Sequence, residues 1–162
     1  MDVSKKTDYA LRMISELVEK PDGALSVRTA ARESGVPYSF ARSIQRDLAS
    51  AGIVTNTRGA SGGMRLAVDP RETTLLQVVE AVQGPVALSC CLNADDEGNP
   101  CPNREQCRYT SVWCNAERLL RGLFSSVTLH QLVVERRSPV PHATFELAPE
   151  DEARRAAGTA RS

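Results

Sequence analysis

All five cysteines of this 162-residue chain fall between Cys90 and Cys114, in the stretch "CCLNADDEGNPCPNREQCRYTSVWC". Cys91, Cys101 and Cys107 follow a C-x9-C-x5-C spacing, and Cys114 comes after six further residues. Thiolates are soft ligands and redox-active nucleophiles, so the segment can hold a metal or exchange disulfides. Its gaps are too wide for the tight C-x2-C knuckle of a zinc site. They suit a loop wrapped around a larger object such as an iron–sulfur cluster, with Gly98, Pro100 and Pro102 favouring irregular backbone. Spacing alone leaves a second possibility open, a set of reactive thiols forming a reversible disulfide switch. Cys90 adjoins Cys91, so either is a candidate first ligand. An odd number of cysteines fits a simple disulfide framework poorly.

The chain around this segment carries 41% hydrophobic and 25% charged residues, the balance of a globular domain, and a formal net charge of zero. Its charges are unevenly placed. From Ser26 to Arg65 six arginines (Arg28, Arg32, Arg42, Arg46, Arg58, Arg65) face two acids, Glu33 and Asp47. No apolar run is long enough to span a bilayer, and "MDVSKKTDYALR" lacks a signal-peptide core, so a cytoplasmic location is expected. In that reducing setting, clustered cysteines point to metal ligation or redox sensing.

The fold class expected is mainly α with a small β-hairpin wing. A first helix is predicted from about Ser4 to Lys20 on Ala10, Leu11, Ile14, Leu17 and Val18. Ser26 caps a short second helix that closes at Gly35. A third helix spans about Pro37 to Ala51, with Phe40, Ile44 and Leu48 as its buried stripe and Ser39, Arg42, Ser43 and Arg46 on its outer face. Two short helices around a tight turn, the second basic, describe a helix-turn-helix. The strand-like Ile53–Arg58 and Met64–Val68 flank a glycine-rich tip and read as the wing of a winged helix. Thr74 and Gln77 form a capping box for a fourth helix. A long helix is predicted over about Ser111–Ser126, where Ala116, Leu119, Leu120, Leu123, Phe124 and Val127 give a broad apolar face that the rest of the chain cannot fully cover and for which a partner subunit is the natural cover. "TLHQLV" makes a short last turn or helix.

These elements divide the chain into a winged helix-turn-helix DNA-binding domain over 1–83, a cysteine-rich cluster-binding loop over 84–110, a dimerisation helix over 111–134 and a disordered tail over 135–162. On duplex DNA the third helix would enter the major groove, with Ser39, Arg42 and Ser43 at base edges and Arg46 on a phosphate. Ser26 and Thr29 would donate to phosphate, with Arg28 beside them in the basic block. Arg58, with Gly62 allowing close approach of the wing backbone, suits the minor groove.

The pieces "KKTDYALRMI", "VPYSFARSIQRDLASAGIV", "TRGASGGMRLAVDP", "TLLQVVEAVQGP", "CPNREQC" and "LLRGLFSSVTLHQLV" together resemble the Rrf2 family of winged-helix regulators over about residues 1–134. The resemblance implies a homodimer with crossed long helices, binding a palindromic operator, with a cluster loop near the partner's DNA-binding domain. It implies Cys91, Cys101 and Cys107 as cluster ligands. The histidine that IscR-like members place three residues after the last cysteine is Thr110 here. The first-helix aspartate that NsrR-like members supply across the dimer matches Asp8. Beside that role stands a plainer one, an acid in a helix's first turn paired with Arg12. The function this implies is a dimeric transcriptional repressor, not an enzyme, sensing nitric oxide, redox or iron–sulfur status through a cluster, 4Fe–4S ahead of 2Fe–2S. A cluster-free thiol sensor of the same fold, and a small redox or cluster-carrier protein, are the alternatives. No nucleophile–base set or phosphate loop supports the last.

Overall fold

A computed structural model describes residues 3–21, 23–57, 62–88, 101–102 and 106–137. The tail from 138, the wing tip 58–61 and most of the cysteine segment, Cys90 and Cys91 included, lie outside the described residues.

Among the described residues, six helices and one two-stranded sheet follow in the order α1 (Lys5–Glu19), α2 (Val27–Glu33), α3 (Tyr38–Ser50), β1 (Val54–Thr57), β2 (Gly63–Leu66), α4 (Leu75–Gln83), α5 (Thr110–Ser125) and α6 (Leu129–Val133). The expected class, mainly helical with a small antiparallel hairpin, is what forms. No described helix is long and apolar enough to cross a membrane.

Local chemistry sets the boundaries. Ser4, Ser26, Thr74 and Thr128 each cap a helix by accepting a hydrogen bond from a backbone N–H of its first turn. Thr74 and Thr128 complete capping boxes with Gln77 and Gln131. α2 and α3 end the same way. Gly35 and Gly52 adopt left-handed φ of 66° and 72°. The next residue then bonds back into the helix, Val36 N to Ala31 O at 2.8 Å and Ile53 N to Leu48 O at 2.9 Å. In each case the two bonded residues are both buried, so the turn chemistry also closes the core.

That core is built from helical stripes. Ala10, Met13, Ile14, Leu17 and Val18 of α1 meet Ala30 and Ala31 of α2, Ala41, Ile44 and Leu48 of α3, and Val78 and Val82 of α4. One element of the predicted α3 stripe is wrong. Phe40 is 40% exposed, and Ala41 takes the buried position. The stripe's true spacing is 41, 44 and 48, which puts residue 40 one step off the buried face. Phe40 instead packs edge-on against Tyr9 of α1, with ring centroids 5.4 Å apart.

The hairpin pairs Val54 with Leu66, Thr55 with Arg65, Asn56 with Met64 and Thr57 with Gly63. A third stretch of backbone, unseen in the sequence, docks on its far edge: Leu25 and Met64 exchange hydrogen bonds of 3.0 and 2.8 Å. Gly63 lies against this crossing, and a Cβ there would come within 2.7 Å of the Leu25 carbonyl carbon and oxygen. Backbone cannot swing aside as a side chain does. Gly63→Ala is therefore expected to destabilise the domain by about 2–3 kcal/mol, measured as a lower urea midpoint. An unchanged midpoint would show that the wing can lift away from Leu25 without cost.

The end of the described chain returns to the first domain. Val127, expected to extend the apolar face of the long helix, lies past the end of α5 and is buried. Its carbonyl accepts from Leu75 N at 2.8 Å, and Leu129 N donates to Thr73 O at 2.9 Å. Leu129 thereby joins the core that α1 anchors. α5, which runs into these anchors, buries none of its own residues.

Candidate nucleic-acid interface and metal-ligating segment

The buried side of α3 fixes which residues face out. With Ala41, Ile44 and Leu48 locked inward, Ser39, Arg42 and Arg46 are exposed and Ser43 is half-buried. Two lateral ties hold the helix. Asp47, one of the two acids in the basic block, is engaged by Lys6 of α1. Gln45 Nε2 donates to Asn56 Oδ1 of β1 at 2.6 Å. The face therefore presents Arg42 and Arg46 with the nearby carboxylate already neutralised by another cation.

At the start of α2, Ser26 Oγ accepts from Thr29 N at 3.0 Å and shares a 2.8 Å hydrogen bond with Thr29 Oγ1. Arg28 lies over the Tyr38 ring, 5.4 Å from its centroid. A cation–π contact of this kind restrains a long side chain beside the first turn of α3. Gly62 is half-buried at the tip end of the wing, just before β2, and Arg58 lies outside the described residues. The structure thus brings Ser26, Arg28, Thr29, Ser39, Arg42, Ser43 and Arg46 onto contiguous elements. Sequence reasoning missed Tyr38, Gln45 and Asn56. Asn56 left one signal, a polar residue at the alternate position that should point inward with Val54.

Asp8 sits in the first turn of α1, half-exposed, its carboxylate 2.7 Å from Arg12. Arg12 in turn lies 5.8 Å from the Tyr9 ring centroid, and Tyr9 touches Phe40 of α3. Asp8 is thus two contacts from an aromatic that meets the helix carrying Arg42. The start of α1 is also tied to the end of α4: Gln83 Oε1 accepts from Ser4 N at 3.2 Å and from Thr7 Oγ1 at 2.7 Å. Beyond Gln83 the chain runs towards the cysteines. Val86 N donates to Glu80 Oε1 at 3.2 Å, and Glu80 also holds Arg121 of α5.

Cys101 and Cys107 are half-buried in the turns that precede α5, and Cys114 is half-buried on it, lining a groove with Leu76, Glu117, Arg118 and Arg121. Among the described residues of one subunit, no three His, Cys, Asp or Glu side chains converge on a metal position. His130 bonds Glu135 at 3.2 Å. The donor chemistry, accessible thiols and a half-exposed carboxylate, is of the kind that holds iron.

The Rrf2 profile, described as an iron-dependent transcriptional regulator, matches residues 3–135. An Rrf2-like HTH-type transcriptional regulator of Rhodobacter capsulatus is 31% identical over 81% of this chain and 91% of its own length. The HTH-type transcriptional repressor NsrR of Streptomyces coelicolor is 30% identical over 86% of this chain and 93% of its own. Among solved structures, CymR, the global cysteine regulator of B. subtilis, superposes with a TM-score of 0.66 at 22% identity, covering 83% of this chain and 98% of that one. IscR of T. potens gives 0.65 at 21%, covering 85% and 89%. The profile spans the winged helix, the thiol-rich segment and α5 of this chain, and the solved structures share its fold: the chain belongs to the Rrf2 family of transcriptional regulators.

Proposed function

We propose that the chain acts as a homodimer that binds a palindromic operator, represses transcription, and senses nitric oxide, oxidants or iron–sulfur status through a cluster. The observation that carries the sensing part is the placement of its possible ligands. Cys101 and Cys107 lie at the foot of the uncovered α5, and Asp8 lies on the helix that touches α3 through Tyr9 and Phe40. Cys91, Cys101 and Cys107 would hold the group, with Asp8 of the partner subunit as the fourth ligand. A bound cluster supplies a centre that small oxidants can alter or remove. What this chain adds is a route outward, since a change at Asp8 bears on Arg12, Tyr9 and the recognition helix. Ser39, Arg42 and Ser43 would read the major groove, Arg46, Ser26, Thr29 and Arg28 the backbone, and Arg58 with Gly62 the minor groove.

The test is an anaerobic preparation from iron-replete cells. The expected result is a brown protein with matching iron and sulfide content. It should bind a selected duplex with steep salt dependence and change affinity on exposure to nitric oxide or air. A colourless preparation with full redox-responsive DNA binding would reject the cluster. That outcome would favour a second reading, a thiol sensor in which Cys90 and Cys114 supply pairing partners. The likeness in fold to CymR, the global cysteine regulator of B. subtilis, and to the oxidised form of Staphylococcus aureus CymR supports that reading.

A further inference from the structure

The geometry points to Gln45 and Asn56 as a clasp that sets the angle between the recognition helix and the wing. It makes them positioning residues for DNA recognition, an inference that rests on the DNA-binding reading above. In β1, side chains alternate, so Asn56 points to the same face as Val54. Val54 is 3% exposed, and Asn56 lies directly across from Met64, which is 1% exposed. Asn56 is therefore the inward position at which the hairpin leaves the core. Asn56 is itself exposed, and its amide is met from the flank of α3 by Gln45, in a 2.6 Å bond that joins residues eleven apart in sequence. Gln45 follows Ile44, buried in the core, and precedes Arg46, exposed on the outer face, so the clasp sits at the seam between packing and recognition.

The other edge of the hairpin is fixed by backbone, through Leu25 and Met64 and the close approach at Gly63. Each end of the hairpin is thus attached to a different helix of the motif: β2 to the segment entering α2, β1 to α3 itself. The first attachment needs no side chain. The second starts in the core, where Val54 packs with Ile44 and Leu48 and Ile53 N donates to Leu48 O at 2.9 Å; beyond Val54, where Thr55, Asn56 and Thr57 are all exposed, it rests on the two amides. A hairpin hinged along one edge and clasped at the other has its tilt decided by the clasp. Tilt sets the distance between the groove that α3 enters and the one the wing reaches.

The probe is a duplex enriched from a random library by the unmutated chain, whose enrichment separately checks the parent reading. Both amides are at the surface, so Gln45→Ala and Asn56→Ala should keep helix content and unfolding temperature. Each is expected to raise Kd for that duplex about threefold to tenfold. The double variant should be no weaker than the worse single one, because one bond is lost in every case. Hydroxyl-radical protection should fade at the wing's flank and persist at the centre of the half-site. The swapped pair Gln45→Asn with Asn56→Gln should restore protection at the flank. Unchanged affinities, or losses that add with an unaltered footprint, would overturn the clasp; the latter would make the two amides separate DNA contacts.

Discussion

Leu119→Glu is expected to leave each subunit folded, convert the protein to a monomer, and weaken operator binding by more than about 100-fold. Leu119 is 55% exposed in the subunit, and its helix, α5, buries nothing. A charge there costs the isolated subunit little, within roughly 0.5 kcal/mol. The same helix exposes Val112, Trp113 and Leu123. An apolar face this continuous, in a helix anchored at its end by Val127 and Leu129, is the kind of surface that a second copy covers. Inserting a carboxylate into that contact leaves a desolvated charge without a partner, which costs several kcal/mol and dissociates the pair. Operator affinity then collapses because one winged module grips only half a palindrome. Sedimentation velocity measures the mass, circular dichroism the helix content, and anisotropy the affinity. A Leu119→Glu protein that stays dimeric with unimpaired binding would place the subunit contact elsewhere.

Much of this arrangement is legible from local rules. The cap at Ser26, the capping box at Thr74 and Gln77, and the glycine that closes α2 are short-range chemistry, and they fall where a reading of neighbours puts them. The wing follows from β-rich residues around a glycine cluster. What the sequence hides is long-range. A single residue, Leu25, completes the hairpin's outer edge, and no periodicity marks a strand one residue long. Phe40 is large and apolar and sits four before Ile44, so a spacing argument buries it. The α3 face is narrower than that argument assumes, and Tyr9, from a distant helix, gives the ring an edge contact at the surface instead. Val127 likewise continues the apolar period of α5, while the chain turns at Ser126 and carries it into the core. Of the site, Arg42 and Arg46 were legible because exposed cations on a helix follow from the buried stripe. Gln45 was not, since its partner depends on the hairpin register. For the metal-ligating set, Asp8 illustrates the limit. Its pairing with Arg12 is one helical turn of local geometry, whereas a ligand role depends on a second subunit.

Cys107→Ala is expected to produce a colourless protein whose DNA affinity no longer responds to air or nitric oxide, a complete loss of the switch. Cys107 lies three residues before α5 and is half-buried, so a smaller side chain costs at most about 1 kcal/mol and the helices remain. Loss of response therefore reports on ligation and not on folding. Asp8→Ala makes the argument sharper. The Asp8–Arg12 pair is half-exposed on both sides and one turn apart, an arrangement worth roughly 0.3–0.5 kcal/mol, so its removal should leave the unfolding midpoint nearly unchanged. If Asp8 is only a helix-surface acid, its alanine variant keeps the colour, the iron content and the response of the unmutated protein. As a ligand donated across the dimer, its loss should shift the absorption spectrum and weaken the response while the three cysteines still retain iron. The two variants also separate the sensing chemistries. A disulfide switch loses its response with Cys107→Ala and is indifferent to Asp8, because a carboxylate takes no part in thiol exchange. Anaerobic absorption spectra and binding curves before and after nitric oxide, taken on both variants, decide between them. A brown, responsive Cys107→Ala protein would remove the thiol from the sensing centre under either chemistry.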